Sequence, residues 1–541
     1  MATPEFTFKS AAYAQDTFTV VDFQGSEAIS SLYQFNIGLK CTTALAINLE
    51  ELLGATATLS IEQGAATNSY SGILAWVEQQ QQAGGHNYYR VLLVPPAWRL
   101  SRNLTTAGFT GEAHPNIVET VLANGSITVA GAELDITGIT GNIAPSPPSD
   151  SDTTEYVYPL YDFTCQYVET DLNFVSRLME YDGIYFYFED NAGVCKMLLA
   201  DGMAYPQQPT AASIPFTDPS STNNYDSIVQ ITQQLGVAPA VVSVTGYNYQ
   251  TTSVEVTGNS DVSVDGVTSS ALYPAAWLYD NKVQTPAAAA RIALVRAQEH
   301  GSWSCTYTGG GAVSGLRAGF TFSLTDHPVT AFNQSYLVTS VTHTARNLDQ
   351  SWTTASHTAA QAASTGAYYN NTFTAIPASV QFRPRRATPK PRISGVLSAA
   401  VWLQPDTSSG TTSNSTTTAP TNLSLQPGQS SPIPGYQGSG SAQDENAYVP
   451  PPPPMDVQGR YLVTLPFANG AVTGSSSISA WIRMAQPSAG QWTGVQYMLE
   501  PGAEVLLVFV NGDPDLPLIA GAVYNGANPA PLTSANNDPQ I

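Results

Sequence analysis

Hydrophobic and polar residues alternate at every second position in short runs through the first part of the chain. A period of two predicts half-buried β-strands, and the Gly and Asn residues between the runs predict turns. The same pattern returns after residue 318, where two more strands are expected. The predicted strands are FTVVDF (18–23), YQFNIGL (33–39), ATATLSI (55–61), YSGILAWVE (70–78), YYRVLLV (88–94), GFTFSL (319–324) and SYLVTSV (335–341).

A helical period replaces this alternation in three places. In the second of these places, residues 170–183, Thr170 is a suitable N-cap and Gly183 is a suitable left-handed residue after the last turn. The pattern after Gly183 switches back to a period of two, so a short amphipathic helix is expected to run directly into an aromatic strand. The predicted helices are PNIVETVLANG (115–125), residues 170–183 and AAAARIALVRAQEH (287–300).

The segment QYVETDLNFVSRLMEYDGIYFYFED (166–190) concentrates carboxylates around a single Arg177. Paired carboxylates can hydrolyse glycosides when they flank a groove at a separation of about 5–10 Å. Nothing else in the sequence indicates such a groove, so the favoured interpretation is a capped helix with a solvated acidic face. The carboxylates are Glu169, Asp171, Glu180, Asp182, Glu189 and Asp190.

The C-terminal part predicts a small barrel. Five strand-like segments in about a hundred residues suit an OB-type fold. A Ser/Thr/Gly/Pro-rich stretch, residues 405–454, interrupts them and is expected to be the first inter-strand loop, exposed to solvent. A basic stretch, RPRRATPKPR (383–392), precedes the barrel and is expected to lie as an extended strap against an acidic surface. The five segments are 392–403, 459–467, 480–486, 503–510 and 516–524.

Charge and cysteine content narrow the possible functions. The 541 residues carry 19 Lys and Arg against 41 Asp and Glu, a net charge of −22, which disfavours nucleic acid and anionic membranes as partners. Four scattered cysteines without a CxxC motif indicate buried free thiols rather than a zinc site. Neither a signal peptide at the start nor an apolar run of about 18 residues is recognisable.

Histidines and aspartates outside the acidic segment are also interpreted as structural. His327 and His343 lack the HExxH or nucleophile motifs of hydrolases. In Gly512-Asp513-Pro514-Asp515 the spacing supplies only two candidate metal ligands, so a turn is favoured over a metal site. Trp492 and Tyr497 are amphipathic rings suited to an interface or a domain seam.

Several short motifs together resemble the VgrG family, the valine-glycine repeat spikes of type VI secretion. They occur in the expected order along nearly the whole chain. Two departures stand out: the long 405–454 insertion, and the stop at Ile541, beyond which the family continues into a β-prism or β-helix. The matching motifs are Gly25-Ser26-Glu27, residues 166–188, His327-Pro328, Phe382-Arg383-Pro384, Gly459-Arg460, Trp481-Ile482-Arg483, Gly512-Asp513-Pro514-Asp515 and Tyr524-Asn525.

The resemblance implies a mainly β fold with a few short helices (α+β), in which tube-protein-like β-barrels form a hub that precedes an OB-fold barrel. A C-terminal β-helix needle is expected to be absent from this chain. The implied boundaries are 1–378 for a hub with two tube-like barrels, 379–404 for the strap and first OB strand, 405–454 for the inserted loop, 455–530 for the rest of the OB domain and 531–541 for the start of a stalk.

The function implied by the resemblance is that of a structural spike and not of an enzyme, with no catalytic, cofactor-binding or metal-binding residues. Its implied partners are two further copies in a homotrimer, a hexameric inner-tube protein, baseplate proteins, a PAAR-like tip protein and effectors. No nucleic acid and no stable membrane anchoring are expected, and the protein would be assembled in the bacterial cytoplasm and then ejected. The alternatives are the hub of a phage tail or of an extracellular phage-tail-like particle, a cell-wall-degrading enzyme, and an OB-fold nucleic-acid binder.

Overall fold

A computed structural model describes residues 4–42, 46–63, 66–83, 85–127, 133–146, 154–220, 226–265, 274–347, 367–402, 455–467, 469–470, 478–491 and 493–530. The insertion predicted at 405–454 and the stalk start predicted at 531–541 lie outside these residues, as does Trp492. Among the helices that the structure describes, none is both long enough and apolar enough to cross a membrane.

The helices are α1 (Leu49–Leu52), α2 (His114–Asn124), α3 (Asp171–Asp182) and α4 (Pro286–Ser304). The strands are β1 (Glu5–Ser10), β2 (Thr19–Ala28), β3 (Gln34–Thr42), β4 (Thr56–Gln63), β5 (Ala66–Ala83), β6 (His86–Val94), β7 (Leu104–Phe109), β8 (Leu134–Gly138), β9 (Thr164–Thr170), β10 (Tyr185–Asn191), β11 (Val194–Ala200), β12 (Ser213–Pro215), β13 (Ile228–Leu235), β14 (Val241–Thr245), β15 (Thr257–Asp261), β16 (Ala276–Tyr279), β17 (Cys305–Gly311), β18 (Thr321–Thr325), β19 (Ser335–Asn347), β20 (Ala367–Pro377), β21 (Leu397–Val401), β22 (Tyr461–Leu465), β23 (Asn469–Gly470), β24 (Ile478–Ile482), β25 (Ser488–Gly490), β26 (Thr493–Val495), β27 (Glu504–Phe509) and β28 (Pro517–Val523).

These elements belong to two units that interleave along the chain. Unit 1 comprises Met1–Ser101, Leu122–Gly141 and Ser176–Ala387, and unit 2 comprises Arg102–Val121, Asn142–Val175 and Thr388–Ile541. The domain boundaries predicted from the sequence divide the chain into consecutive ranges. They therefore do not separate Arg102–Val121 and Asn142–Val175, which lie within residues 1–378 but belong to unit 2. The division of 1–378 into two tube-like barrels stays a prediction.

Unit 1 is built on one large sheet in the order β1-β4-β5-β6-β3-β2-β19-β20-β17-β13; β18 also pairs with β19, and β12 pairs with β18. Its neighbours along this path pair antiparallel. Two tube-like barrels within residues 1–378 would allow the strands before residue 100 and those at 319–341 to lie in separate sheets. The antiparallel pairing of β2 with β19 instead joins them in one continuous sheet.

Gly25 of this sheet has no room for a side chain, because an aromatic ring of the neighbouring strand lies against its main chain. A Cβ on Gly25 in β2 would lie 2.1 Å from the ring of Phe35 on the neighbouring β3. Phe35 is fully buried and its ring centroid is 4.3 Å from that of Tyr70. The glycine of the Gly25-Ser26-Glu27 motif therefore leaves room for an aromatic core residue.

Two smaller sheets complete unit 1. One has the order β10-β11-β8, and the other, β15-β14-β16, packs against α4. The side chain of Thr285 caps α4 by accepting a hydrogen bond from the amide of Ala288 at 3.1 Å. Helix and sheet approach closely at Gly258, where a Cβ would lie 2.1 Å from the amide nitrogen of Ala290.

Unit 2 contains the predicted barrel strands as a five-stranded sheet in the order β24-β22-β21-β27-β28. All five segments predicted between 392 and 524 contribute one strand each, so this part of the prediction is confirmed. Val463, Val505, Leu507 and Ile519 are fully buried at its centre. Phe163 and Cys165, from the chain segment around β9, belong to the same core, which explains why that segment clusters with unit 2.

The three predicted helices correspond to α2, α3 and α4, and the mainly β fold class is confirmed. The side chain of Thr170 accepts a hydrogen bond from the amide of Asn173 at 3.2 Å, as expected of an N-cap. Gly183 has a φ of +77° after the end of α3.

Candidate functional site

Three carboxylates of the acidic segment are buried, so the expectation of a solvated acidic face on α3 is wrong. Glu169, Asp171 and Asp182 are 6%, 4% and 2% exposed. Asp171 accepts hydrogen bonds from the side-chain amides of Asn103 at 2.5 Å and Gln166 at 2.8 Å. A buried carboxylate requires such donors, because burial without them is expensive.

At the other end of α3, Asp182 forms an ion pair with Arg291 of α4 at 2.6 Å. Glu180 accepts a hydrogen bond from the main-chain amide of Ala387 at 2.9 Å. These partners lie far along the chain, so local periodicity could not show them. The geometry supports a structural role for these acids, since each accepts hydrogen bonds from the chain itself.

The first part of the basic strap lies on unit 1, and the acidic contacts that the sequence analysis expected are made by the main-chain amides of Arg386 and Ala387, which donate to Glu299 at 3.3 Å and Glu180 at 2.9 Å. Arg383 donates to the carbonyl of Gly183 at 2.7 Å and to the side chain of Gln298 at 2.8 Å. The guanidinium of Arg385 lies 4.3 Å from the ring centroid of Trp303, in a cation–π arrangement. A Cβ on Gly183 would approach the Arg383 side chain to 3.0 Å, so this glycine serves the strap as well as the helix end.

Within unit 2, Lys390 of the strap meets the turn that follows β27. Its ammonium lies 2.5 Å from a carboxylate oxygen of Asp513 and 2.7 Å from one of Asp515. Asp513 also accepts from the amide of Asp515 at 2.9 Å, which closes the predicted turn. The other oxygen of Asp515 accepts from the buried amide of Cys165 at 2.6 Å. We call these four residues the Lys390 clamp.

A buried polar network crosses the main sheet of unit 1. His343, fully buried in β19, is 2.7 Å from the hydroxyl of Tyr369 through Nδ1 and 3.2 Å from Glu27 through Nε2. Tyr70 donates to the same Glu27 carboxylate at 2.9 Å. Burial raises the pKa of Tyr70 well above its usual value, and the Glu27 charge raises it further. Burial raises the pKa of Tyr369 in the same direction, so both phenols stay protonated hydrogen-bond donors.

This network assigns His343 a structural position and explains Glu27 of the Gly25-Ser26-Glu27 motif. The sequence analysis did not identify Tyr70 and Tyr369 as its other members. The alternation of β5 and β20 places both side chains on the buried face of the sheet, which the sequence could have indicated. Alternation identifies a buried position, but it does not identify the residue that this position contacts.

His327 also has a structural environment. Its Nδ1 lies 3.0 Å from the amide of Val329, and its ring centroid is 4.4 Å from that of Phe216. Within the described part of the chain, no group of three or more His, Cys, Asp or Glu side chains is arranged to hold a metal ion. All four cysteines are free and buried, as predicted.

The exposed large apolar side chains of the described residues include two pairs of aromatic rings. In unit 1, Trp277 and Tyr279 of the edge strand β16 are 72% and 62% exposed. In unit 2, Tyr497 and Tyr524 are 58% and 66% exposed, and Tyr497 had been singled out as an interface ring. Exposed aromatic groups of this kind are typical of protein interaction surfaces.

Two family models match the chain. Residues 26–349 match the phage tail baseplate hub (GPD) family. Residues 458–524 match the type VI secretion system/phage-baseplate injector OB domain. The second match covers strands β22 to β28 of unit 2.

Curated relatives and one solved structure are similar over most of the chain. The type VI secretion system spike protein VgrG1a of Pseudomonas aeruginosa is 25% identical over 535 residues, which cover 97% of this chain and 70% of the relative. VgrG1c of the same organism is 26% identical and covers 96% of this chain and 61% of the relative. The E. coli c3393 protein, described as a component of the type VI secretion system, has a similar fold, with a TM-score of 0.58 at 20% identity. That comparison covers 95% of this chain and 99% of the E. coli chain.

Proposed function

Because the chain belongs to the phage tail baseplate hub family, we propose that it is the spike and baseplate hub of a contractile injection machine of the type VI secretion kind. The observation that carries this proposal is the order of the two matches: a hub region, residues 26–349, is followed by an injector OB domain, residues 458–524. The alignment with the VgrG1a spike protein runs through both regions without leaving out either one.

The proposed partners follow from this role. Three copies form a homotrimer that caps a hexameric inner-tube protein, contacts baseplate proteins, and carries a PAAR-like tip protein and effectors. The exposed aromatic side chains of β16 and of the OB unit supply surface for such contacts. The net charge of −22 makes nucleic acid a poor partner.

The proposed role is mechanical, without catalysis. Three acids of the 166–190 segment are already hydrogen-bonded within the protein: Asp171 by Asn103 and Gln166, Asp182 by Arg291, and Glu180 by the Ala387 amide. The protein would assemble in the bacterial cytoplasm and then be ejected, puncturing the target envelope. Purified protein that clears peptidoglycan, with the activity abolished by Glu180→Gln, would contradict this part of the proposal.

A second candidate is the hub of a phage tail or of an extracellular phage-tail-like particle. The descriptions of both matching families include phage baseplates, which favours keeping it. The two candidates differ in where assembled machines are found. Free sheathed particles that contain this chain and are recovered from culture supernatant would support the particle reading.

Export of the tube protein tests the proposed function. Deleting the gene in its source bacterium should abolish the appearance of inner-tube protein in the medium, because a tube without its hub cannot be assembled and ejected. Expression of the intact gene from a plasmid should restore it. A cytoplasmic marker controls for lysis, and undiminished tube-protein export in the deletion strain would refute the proposal.

A further inference from the structure

A cavity of about 510 Å³ in unit 1 is lined mainly by polar residues, none of which belongs to the Lys390 clamp or the strap. It is lined by residues of β1, β4, β5 and the end of β10, and by three connecting segments that follow β10 or precede β12 and β18. Lys9 of β1 is exposed in its wall, and Arg317 is part of its lining. The volume is within the range of small-molecule sites.

Arg317 is the most unusual group of this lining. It is only 5% exposed, its Nη1 donates to the carbonyl of Ser69 at 3.2 Å, and its guanidinium lies 4.6 Å from the ring centroid of Tyr70. Its Nε is buried and has no hydrogen-bond partner. Since an arginine keeps its charge in proteins, a buried donor of this cation is left to be satisfied from the cavity.

Asp190 supplies the opposite kind of group. One of its carboxylate oxygens accepts from the amide of Gly193 at 3.1 Å. The other is buried and has no hydrogen-bond partner. The lining residues therefore include a cation and an anion that each have a buried polar atom without a protein partner, beside the exposed Lys9 and hydroxyl residues such as Ser60 and Thr210.

We propose that this cavity binds a small carboxylic acid that carries a hydroxyl or ammonium substituent. The carboxylate accepts from Arg317 Nε and from Lys9, because charge-assisted hydrogen bonds to carboxylates are the strong ones. The substituent donates to the free oxygen of Asp190, so an acid of the same length that lacks this donor binds more weakly. A free metabolite and an acidic side chain of a second copy of the chain both offer this carboxylate.

Calorimetric titration of the full gene product tests the pocket, with L-malate and succinate as probes. Malate should bind saturably and more tightly than succinate, which lacks the hydroxyl. Lys9→Gln should weaken malate binding by about tenfold or more, the size expected for one charged hydrogen bond. Lys40→Gln makes the same charge change on β3, outside the lining, and should leave the affinity unchanged.

Asp190→Asn tests the opposite end of the ligand with a predicted gain. It removes a negative charge, so succinate binding should tighten and the preference for malate should shrink. These two variants change partly exposed residues, so the test does not depend on replacing the buried Arg317. Succinate binding that weakens in Asp190→Asn would overturn the proposed orientation.

Light scattering of the Lys9→Glu variant separates the two sources of the carboxylate. Unchanged assembly together with malate binding by the wild-type protein supports a free acid. Loss of assembly in Lys9→Glu, with no malate binding to the assembled wild type, supports an acidic side chain of a second copy. Absence of saturable binding together with unchanged assembly would overturn the proposal.

Discussion

Replacing Asp515 by alanine should open the region around β9 and β27 in unit 2. The change removes the acceptor of the buried Cys165 amide, at 2.6 Å, and one of the two carboxylates on Lys390. A buried donor left unpaired costs about 1–3 kcal/mol. Loss of the partly exposed ion pair adds about 1 kcal/mol, because Asp513 still holds the lysine. The expected loss in free energy of opening is therefore about 2–4 kcal/mol.

Hydrogen exchange with mass spectrometry is the suitable assay, because two units make a single unfolding free energy ill-defined. Each 1.4 kcal/mol is a factor of ten, so exchange in a peptide spanning residues 164–170 should accelerate by about 30-fold or more. Asp515→Asn keeps one acceptor oxygen and should accelerate it less. Asp162→Ala removes a carboxylate that is 62% exposed and pairs with Arg460, so it serves as the control with almost no expected effect. A change below about threefold in Asp515→Ala would refute the role given to the Lys390 clamp.

Three further predictions concern unit 1 and the thiols. Gly25→Ala places a Cβ against Phe35 and should lower the free energy of local opening of β2 by about 1–3 kcal/mol, measured as faster hydrogen exchange in peptides from β2. Gly521→Ala, with open space around it, should change the free energy of opening of its own strand β28 by less than about 0.5 kcal/mol, and equal acceleration in the two variants would contradict the packing argument. The four thiols should stay unreactive to Ellman's reagent until denaturant is added, because all are buried and burial raises the pKa of Cys195 to about 12. Rapid labelling of the thiols in the folded protein would show that the sheets open readily. The hydrogen bonds from Lys196 and Thr137 lower the pKa of Asp135 to about 2, from an ordinary value of 3.8. The charged carboxylate should therefore stabilise the β8–β11 pairing above pH 4, and this stabilisation should be lost as the pH falls toward 2. If Asp135→Asn leaves the pH dependence of local hydrogen exchange unchanged, this prediction is wrong.

The barrel strands of unit 2 could be predicted because their signals are local. Each strand is a short apolar run bounded by Gly, Pro or Asn, and the turn after β27 contains its own Asp513-Pro514-Asp515 chemistry. The α3 helix was predictable for the same reason, since its cap at Thr170 and its stop at Gly183 are both within the segment.

The long-range contacts could not be predicted from local pattern. Asp182 looks like a solvated helix acid until Arg291 is brought beside it, 109 positions further along the chain. Asp515 and Cys165 are 350 positions apart, and the two units interleave where the sequence shows no break in composition. The Glu27–His343 network joins neighbouring strands that are 316 positions apart along the chain, so only tertiary structure identifies its members.

The measurement that bears most directly on the central claim is the mass of the full gene product in solution. We expect a spike hub that seats on a six-fold tube to be a trimer, because three chains, each with the two tube-like barrels predicted for residues 1–378, would supply six positions around one axis. For these 541 residues, light scattering at low micromolar concentration should give three times the chain mass of 57.3 kDa, plus three times the mass of any further C-terminal segment in the full product. A stable monomer of the full gene product would contradict the account.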